Sequence, residues 1–138
     1  MTTLPKAFLA MFVITACGRS DPEPARAPDV PAHANIRVNA PSPGALITSP
    51  LTVAGEARGS WYFEASFPVR LVDAEGRELA VVPAQARGEW MTPNFVPFEV
   101  QLSFVPPSSP GGLLILQKDN PSGLPEHADS LVIPVRFR

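Results

Sequence analysis

Residues 98–104, Phe98-Glu99-Val100-Gln101-Leu102-Ser103-Phe104, put four apolar side chains on one parity and three polar ones on the other. That is the period of a strand with one face in a core and the other in water. Shorter stretches of the same alternation occur in Ile36-Arg37-Val38, Leu51-Thr52-Val53, Phe67-Pro68-Val69-Arg70-Leu71, Leu79-Ala80-Val81 and Leu131-Val132-Ile133-Pro134-Val135-Arg136-Phe137. Leu113-Leu114-Ile115-Leu116 is an unbroken apolar run, predicted as a strand covered on both faces. Pro134 has no backbone donor, which places the last strand at an edge or turns that position toward solvent. Between these runs lie turn-forming clusters: Pro41-Ser42-Pro43-Gly44, Arg58-Gly59-Ser60, Asp73-Ala74-Glu75-Gly76, the stretch 106–112 and Asn120-Pro121-Ser122-Gly123. No stretch keeps helical spacing over the roughly ten residues a helix requires. About seven short strands in one domain, residues 35–138, predict an all-β, immunoglobulin-like antiparallel sandwich, with a small barrel as the alternative closure.

The first 34 residues follow a different pattern. Lys6 precedes the apolar run Ala7-Phe8-Leu9-Ala10-Met11-Phe12-Val13-Ile14-Thr15-Ala16, which is about half the ~20 residues of a membrane-spanning helix and has the layout of a secretion signal. It ends at Cys17, the one cysteine of the chain. Ile14-Thr15-Ala16-Cys17 resembles the bacterial lipobox, which implies cleavage after residue 16 and acylation of Cys17. Residues 17–34 then read as a tether, with four prolines, both charge signs and almost nothing large and apolar. His33 lies in it without a ligand-spaced companion. The expected location is the bacterial cell envelope, on the extracytoplasmic side, held to the membrane by the N-terminal lipid. With its thiol modified, the folded part forms no disulfide and depends on its apolar core.

The whole chain carries a net charge of −2, and loss of residues 1–16 removes only the positive charge of Lys6, leaving about −3. Such a balance gives no attraction to nucleic acid. Catalytic patterns are missing: there is no Gly-x-Ser-x-Gly elbow and no Ser-x-x-Lys, and the thiol is assigned to the anchor. Ser122, His127 and Asp129 contain the residue types of a triad but crowd into one segment, where a solvated turn is the better reading. Glu56 and Glu64 contain those of a glycosidase pair, with nothing to fix their separation. His33 and His127 lack the companions of a zinc site, and Asp119, Asn120, Glu126 and Asp129 supply oxygen donors without the spacing of a calcium loop. No catalytic residue, metal site or cofactor is therefore assigned.

Trp61-Tyr62-Phe63-Glu64-Ala65 is the segment with most to offer a partner. Read as a strand, it puts Trp61 and Phe63 in the core and turns Tyr62 and Glu64 outward as contact residues. Trp90 is expected in the core as a further large apolar anchor. Asp119, Asn120 and Ser122 in the polar turn complete the set of candidate binding residues.

Several phrases, in order, carry a family resemblance: Ser49-Pro50-Leu51, Gly55-Glu56-Ala57-Arg58-Gly59, Phe63-Glu64-Ala65-Ser66-Phe67-Pro68-Val69, Trp90-Met91-Thr92, Val96-Pro97-Phe98 and Lys118-Asp119-Asn120-Pro121-Ser122-Gly123. Together they resemble the bacterial spore germination immunoglobulin-like domain, also called the second germane-associated domain, over nearly all of the folded part. The resemblance implies an immunoglobulin-like fold and a binding or architectural role, and transfers no catalytic residues. The function expected is a non-enzymatic envelope lipoprotein that binds or scaffolds an envelope protein or cell-wall glycan. A small envelope hydrolase or glycan-processing enzyme is the alternative.

Overall fold

The alternating segments become eight strands in a computed structural model that describes residues 32–138. They are β1 (Ile36–Ala40), β2 (Ala45–Ile47), β3 (Leu51–Arg58), β4 (Ser66–Asp73), β5 (Glu78–Ala86), β6 (Phe95–Leu102), β7 (Gly111–Gln117) and β8 (Ser130–Phe137). Two single 3₁₀ turns, Gly59–Trp61 and Pro125–His127, interrupt the connections. Neighbouring strands follow the order β1-β3-β6-β5-β4-β7-β8-β2, all antiparallel except the parallel β2–β8 pair.

Two layers arise because β5 changes partner. Ser66 to Val72 of β4 pair with β5 along most of its length, whereas only Gln85 and Ala86 at its end reach Glu99 and Phe98 of β6. The sheet curls at that junction and brings the inner sides of β3 and β6 over those of β4, β7 and β8. Phe67 of β4 meets Phe98 of β6 edge to face, with ring centroids 5.0 Å apart, and Tyr62 meets Phe67 at 5.2 Å. Val53, Leu71, Leu102, Leu114, Leu116 and Ile133 fill the space around these rings. Their alternation in sequence is the cause: each strand sends every second side chain inward.

Four expectations are refined. The strand expected at 98–104 lies at Phe95–Leu102, while Phe104 is buried beyond it and its N–H donates to Ser49 Oγ at 2.9 Å. The short β2, which has no alternation of its own, raises the strand number to eight. β7 is covered on one face only: Leu114 and Leu116 are fully buried but Leu113 is 41 % exposed, because among the described residues nothing packs on the outer side of its sheet. Finally, β8 lies between β7 and β2 over Val135–Phe137 instead of forming a full edge. Pro134 fits there because the carbonyl on its β2 side accepts from Gly44 N at 2.7 Å and pairing with β2 begins only at Val135, so no ladder bond needs the missing donor.

The signal, Cys17 and the tether up to residue 31 lie outside the described residues. The tether boundary at 34 moves, because His33 is docked on the domain. Its ring meets Trp61 edge-on at 5.1 Å, and its Nε2 is 3.1 Å from Asp129 Oδ1.

Candidate functional site

Gly59 starts the site. A Cβ there would lie 2.0 Å from the carbonyl oxygen of Thr92 and 2.1 Å from that of Trp90, so only glycine admits this approach. The 3₁₀ turn that follows drives Trp61 into the core, where it is fully buried. The chain then runs through Tyr62 and reverses at Phe63-Glu64-Ala65-Ser66. Phe63 N–H donates to Ser66 O (2.9 Å) and Ser66 N–H to Phe63 O (3.1 Å), while Glu64 and Ala65 take φ of 49° and 63°. Two successive left-handed residues make a type I′ hairpin turn, which normally holds Asn and Gly. Here the strain is held by tertiary contacts, including Ala86 N–H donating to Ala65 O at 2.7 Å.

This local path overturns the parity expected for Trp61 to Ala65. Tyr62 is only 4 % exposed and donates its hydroxyl to the Val96 carbonyl at 2.7 Å; Phe63 is 42 % exposed. The segment is a turn followed by a hairpin and not a strand, so side chains do not alternate across it. Burial pushes the Tyr62 hydroxyl up to about 12, against a smaller lowering by a backbone hydrogen bond from Ala57. Trp90 is half-buried at the rim of the core, not inside it.

The β7–β8 connection closes over the same end. Asp119 N–H donates to the Trp61 carbonyl at 3.1 Å, tying residues 59–65 to residues 118–129. A cavity of about 240 Å³ opens at that junction, lined by Ser60, Tyr62, Phe63, Lys118, Asp119, Asn120, Pro121, Ser122 and His127. Four of the five expected binding residues, Tyr62, Asp119, Asn120 and Ser122, thus meet in one wall. Glu64 does not, being exposed in the hairpin turn beside it. Phe63, Lys118 and His127 join them without having been expected. A strand over Trp61 to Ala65 would put Phe63 in the core, and the approach of the 118–129 connection to it is a long-range contact with no local sequence signal.

Proton accounting defines what this wall presents. Asn120 Nδ2 donates to Leu124 O at 2.9 Å, which turns its Oδ1 toward Ser122 Oγ at 2.6 Å. The single Ser122 proton goes to that oxygen, and the hydroxyl accepts from Leu124 N–H at 3.2 Å. His127 Nδ1, 3.0 Å from Ser122 Oγ, must then be the donor. A base that activates serine has to accept its proton, and this one gives its own. Asp129 is directed to His33, so Ser122, His127 and Asp129 form no relay. In the neutral ring the remaining Nε2 is an acceptor. The wall therefore offers that nitrogen, the Asp119 carboxylate, the Lys118 ammonium, which spends one proton on His127 O at 3.2 Å, and the exposed Phe63 ring.

The strand order gives this end its meaning. β3, β4, β7 and β8 occupy the B, C, F and G positions of an immunoglobulin-like sandwich, so the cavity lies between the B–C and F–G connections. Residues 35–123, well over half of the chain, match the immunoglobulin-like domain of bacterial spore germination. The chain belongs to that family. In this spore germination-type domain the matched part ends at Gly123, so the family region includes both the hairpin that carries Phe63 and the Lys118 to Ser122 side of the cavity. No curated protein and no solved structure matches the chain.

Proposed function

We propose that this protein is a non-enzymatic lipoprotein of the bacterial cell envelope, acylated at Cys17, whose immunoglobulin-like domain binds another envelope component, protein or cell-wall glycan, through the end formed by residues 59–65 and 118–129. One observation carries the reading: distant polar residues and an exposed aromatic ring meet in a single concavity at the end of the sandwich where such folds place binding loops. An aromatic ring held by a strained turn contributes contact area at small entropic cost. The carboxylate, ammonium and imidazole beside it supply acceptors and donors for orientation. The donor role of His127 toward Ser122 favours binding over hydrolysis.

The test is to sediment the mature chain with purified cell wall, to recover it with solubilised membrane proteins, and to assay both samples for released sugar. Retention without release, lost in Asp119→Ala, is the expected result. Sugar release that depends on Ser122 would replace this reading with the hydrolase.

A further inference from the structure

The chain joins the domain at the same end as the cavity. The Asn35 carbonyl accepts from Arg58 N–H at 2.8 Å, directly before the turn that begins at Gly59. Asn35 N–H donates to His33 Nδ1 at 3.2 Å, so in the neutral ring Nε2 carries the proton and donates it to Asp129 Oδ1 at 3.1 Å. The same ring meets Trp61 edge-on at 5.1 Å. His33 is therefore held by both connections that shape the cavity, residues 59–65 through Trp61 and residues 118–129 through Asp129. The C-terminus leaves from the other end. β8 runs from Ser130, next to Asp129, to Phe137, which is about 26 Å at ~3.3 Å per residue. There Phe137 N–H donates to Pro110 O at 2.9 Å, and its ring meets Phe104 at 5.8 Å, beside residues 105–108.

We infer that the cavity end faces the membrane that holds the lipid, and that its partner is the extracytoplasmic part of a protein resident in that same membrane. The inference rests on acylation at Cys17 and on the loop-end site proposed above. Residues 18–32 are all that separates Cys17 from His33. Even at full extension, ~3.4 Å per residue, that length keeps His33 within about 55 Å of the acylated residue. The cavity shares this bound, whereas the β4–β5 turn lies a strand length farther out. A wall polymer beyond the domain would meet that far end first, where Asp73, Arg77, Glu78 and Arg70 already answer one another. The bilayer surface itself fits the cavity end poorly, because docking on anionic lipid uses Lys and Arg around the apolar groups. At this end Glu64, Asp119 and Glu126 stand against Lys118, and none of the four has an ion pair among the described residues. A protein projecting from the same bilayer can bring donors to Asp119 and to His127 Nε2 and apolar surface to Phe63. Confinement of both molecules to one membrane raises their effective concentration, which suits a cavity of only about 240 Å³.

Two exposed positions, Leu124 at the cavity end and Val105 at the other, test both halves of the inference. The mature lipidated chain carrying Leu124→Cys or Val105→Cys is labelled with a donor fluorophore and bound to phosphatidylethanolamine–phosphatidylglycerol vesicles that carry a headgroup acceptor. Energy transfer should be at least twofold higher from position 124, since the length of β8 separates the two. Equal transfer, or higher transfer from position 105, would overturn the orientation while leaving the loop-end site intact. A chain that fails to bind the vesicles would remove the acylation at Cys17 and this inference together. The same two cysteines, carrying a benzophenone, are then irradiated in envelopes of the producing cells. Position 124 should give an adduct with an integral membrane protein that resists muramidase and is lost in Asp119→Ala, and position 105 should not. Adducts from position 124 that are lipid alone, that muramidase degrades, that contain a soluble protein, or that persist in Asp119→Ala would overturn the choice of partner, as would the absence of any adduct.

Discussion

The two ends of the sandwich both close connections between strands, yet they differ in what they leave unspent. At the end formed by the β4–β5 turn, Asp73 is buried and accepts from Glu75 N–H (3.0 Å), Arg77 N–H (2.8 Å) and Arg77 Nε (2.8 Å). Arg77 also reaches Glu75 at 3.7 Å, and Glu78 pairs with Arg70. A cavity there is larger, about 360 Å³, lined by Asp73, Arg77, Glu78, Leu79 and residues 105–108. Its charged groups already answer one another. At the other end Asp119, Lys118 and the Nε2 of His127 keep unused hydrogen-bonding capacity beside an exposed ring. Unspent polar capacity is a better guide than volume to where a ligand can gain something.

The comparison is broken most forcefully at Trp61, which supports the loop end from inside. Trp61→Ala should cost about 3–5 kcal/mol of stability in denaturant titration, through the cavity it leaves. A cost near zero would show that the end is not built on the core. Tyr62→Phe should cost less, about 1–2 kcal/mol, because the Val96 carbonyl loses its donor while the ring remains. Tyr62 is the sole tyrosine, so phenolate absorbance reads it directly. The folded protein should titrate near 12, against ~10 for the unfolded chain. Because the folded value is the higher, the stability linked to this group is complete below pH ~10 and is lost as pH rises through the folded value near 12.

Asp73 sharpens the contrast from the opposite end. Burial raises its pKa, but the two N–H groups and the Arg77 guanidinium outweigh that and hold the carboxyl below its usual range. With the folded value depressed, the unfolded chain binds the extra proton, so the contribution is present above pH ~3.9 and is lost as pH falls further, through the lower folded value. Acid unfolding of Asp73→Asn should lack that component, and should leave partner recovery unaffected at neutral pH. The smallest effect on stability belongs to Phe63→Ala, within about 0.5 kcal/mol as for a surface position, although it should weaken partner binding.

Much of the fold was legible because alternation is a local property. The strands around Val38, Val53, Val69 and Val100 announce themselves by their own neighbours, and Gly59 marks the turn after β3. The errors arose where conformation depends on distant contacts. Glu64 and Ala65 carry no signature of a left-handed turn, and without it Tyr62 and Phe63 exchange their inner and outer roles. Leu113-Leu114-Ile115-Leu116 looks doubly covered because sequence cannot show that one side of its sheet is open. His33, read as part of a tether, docks on Trp61 and Asp129, which lie 28 and 96 positions along the chain. Asp119, Asn120 and Ser122 are legible as polar turn residues, and their meeting with Phe63 follows from the β7–β8 hairpin folding over the β3–β4 connection.

The central claim, that the end holding Phe63 and Asp119 carries the contact, is tested most directly by recovering bound envelope material on two variants side by side. Phe63→Ala with Asp119→Ala should lose at least tenfold of the recovered partner while keeping the wild-type melting curve. Val105→Ser at the opposite end should recover as much as the wild type. Loss with Val105→Ser and full recovery with the loop-end variant would contradict the account.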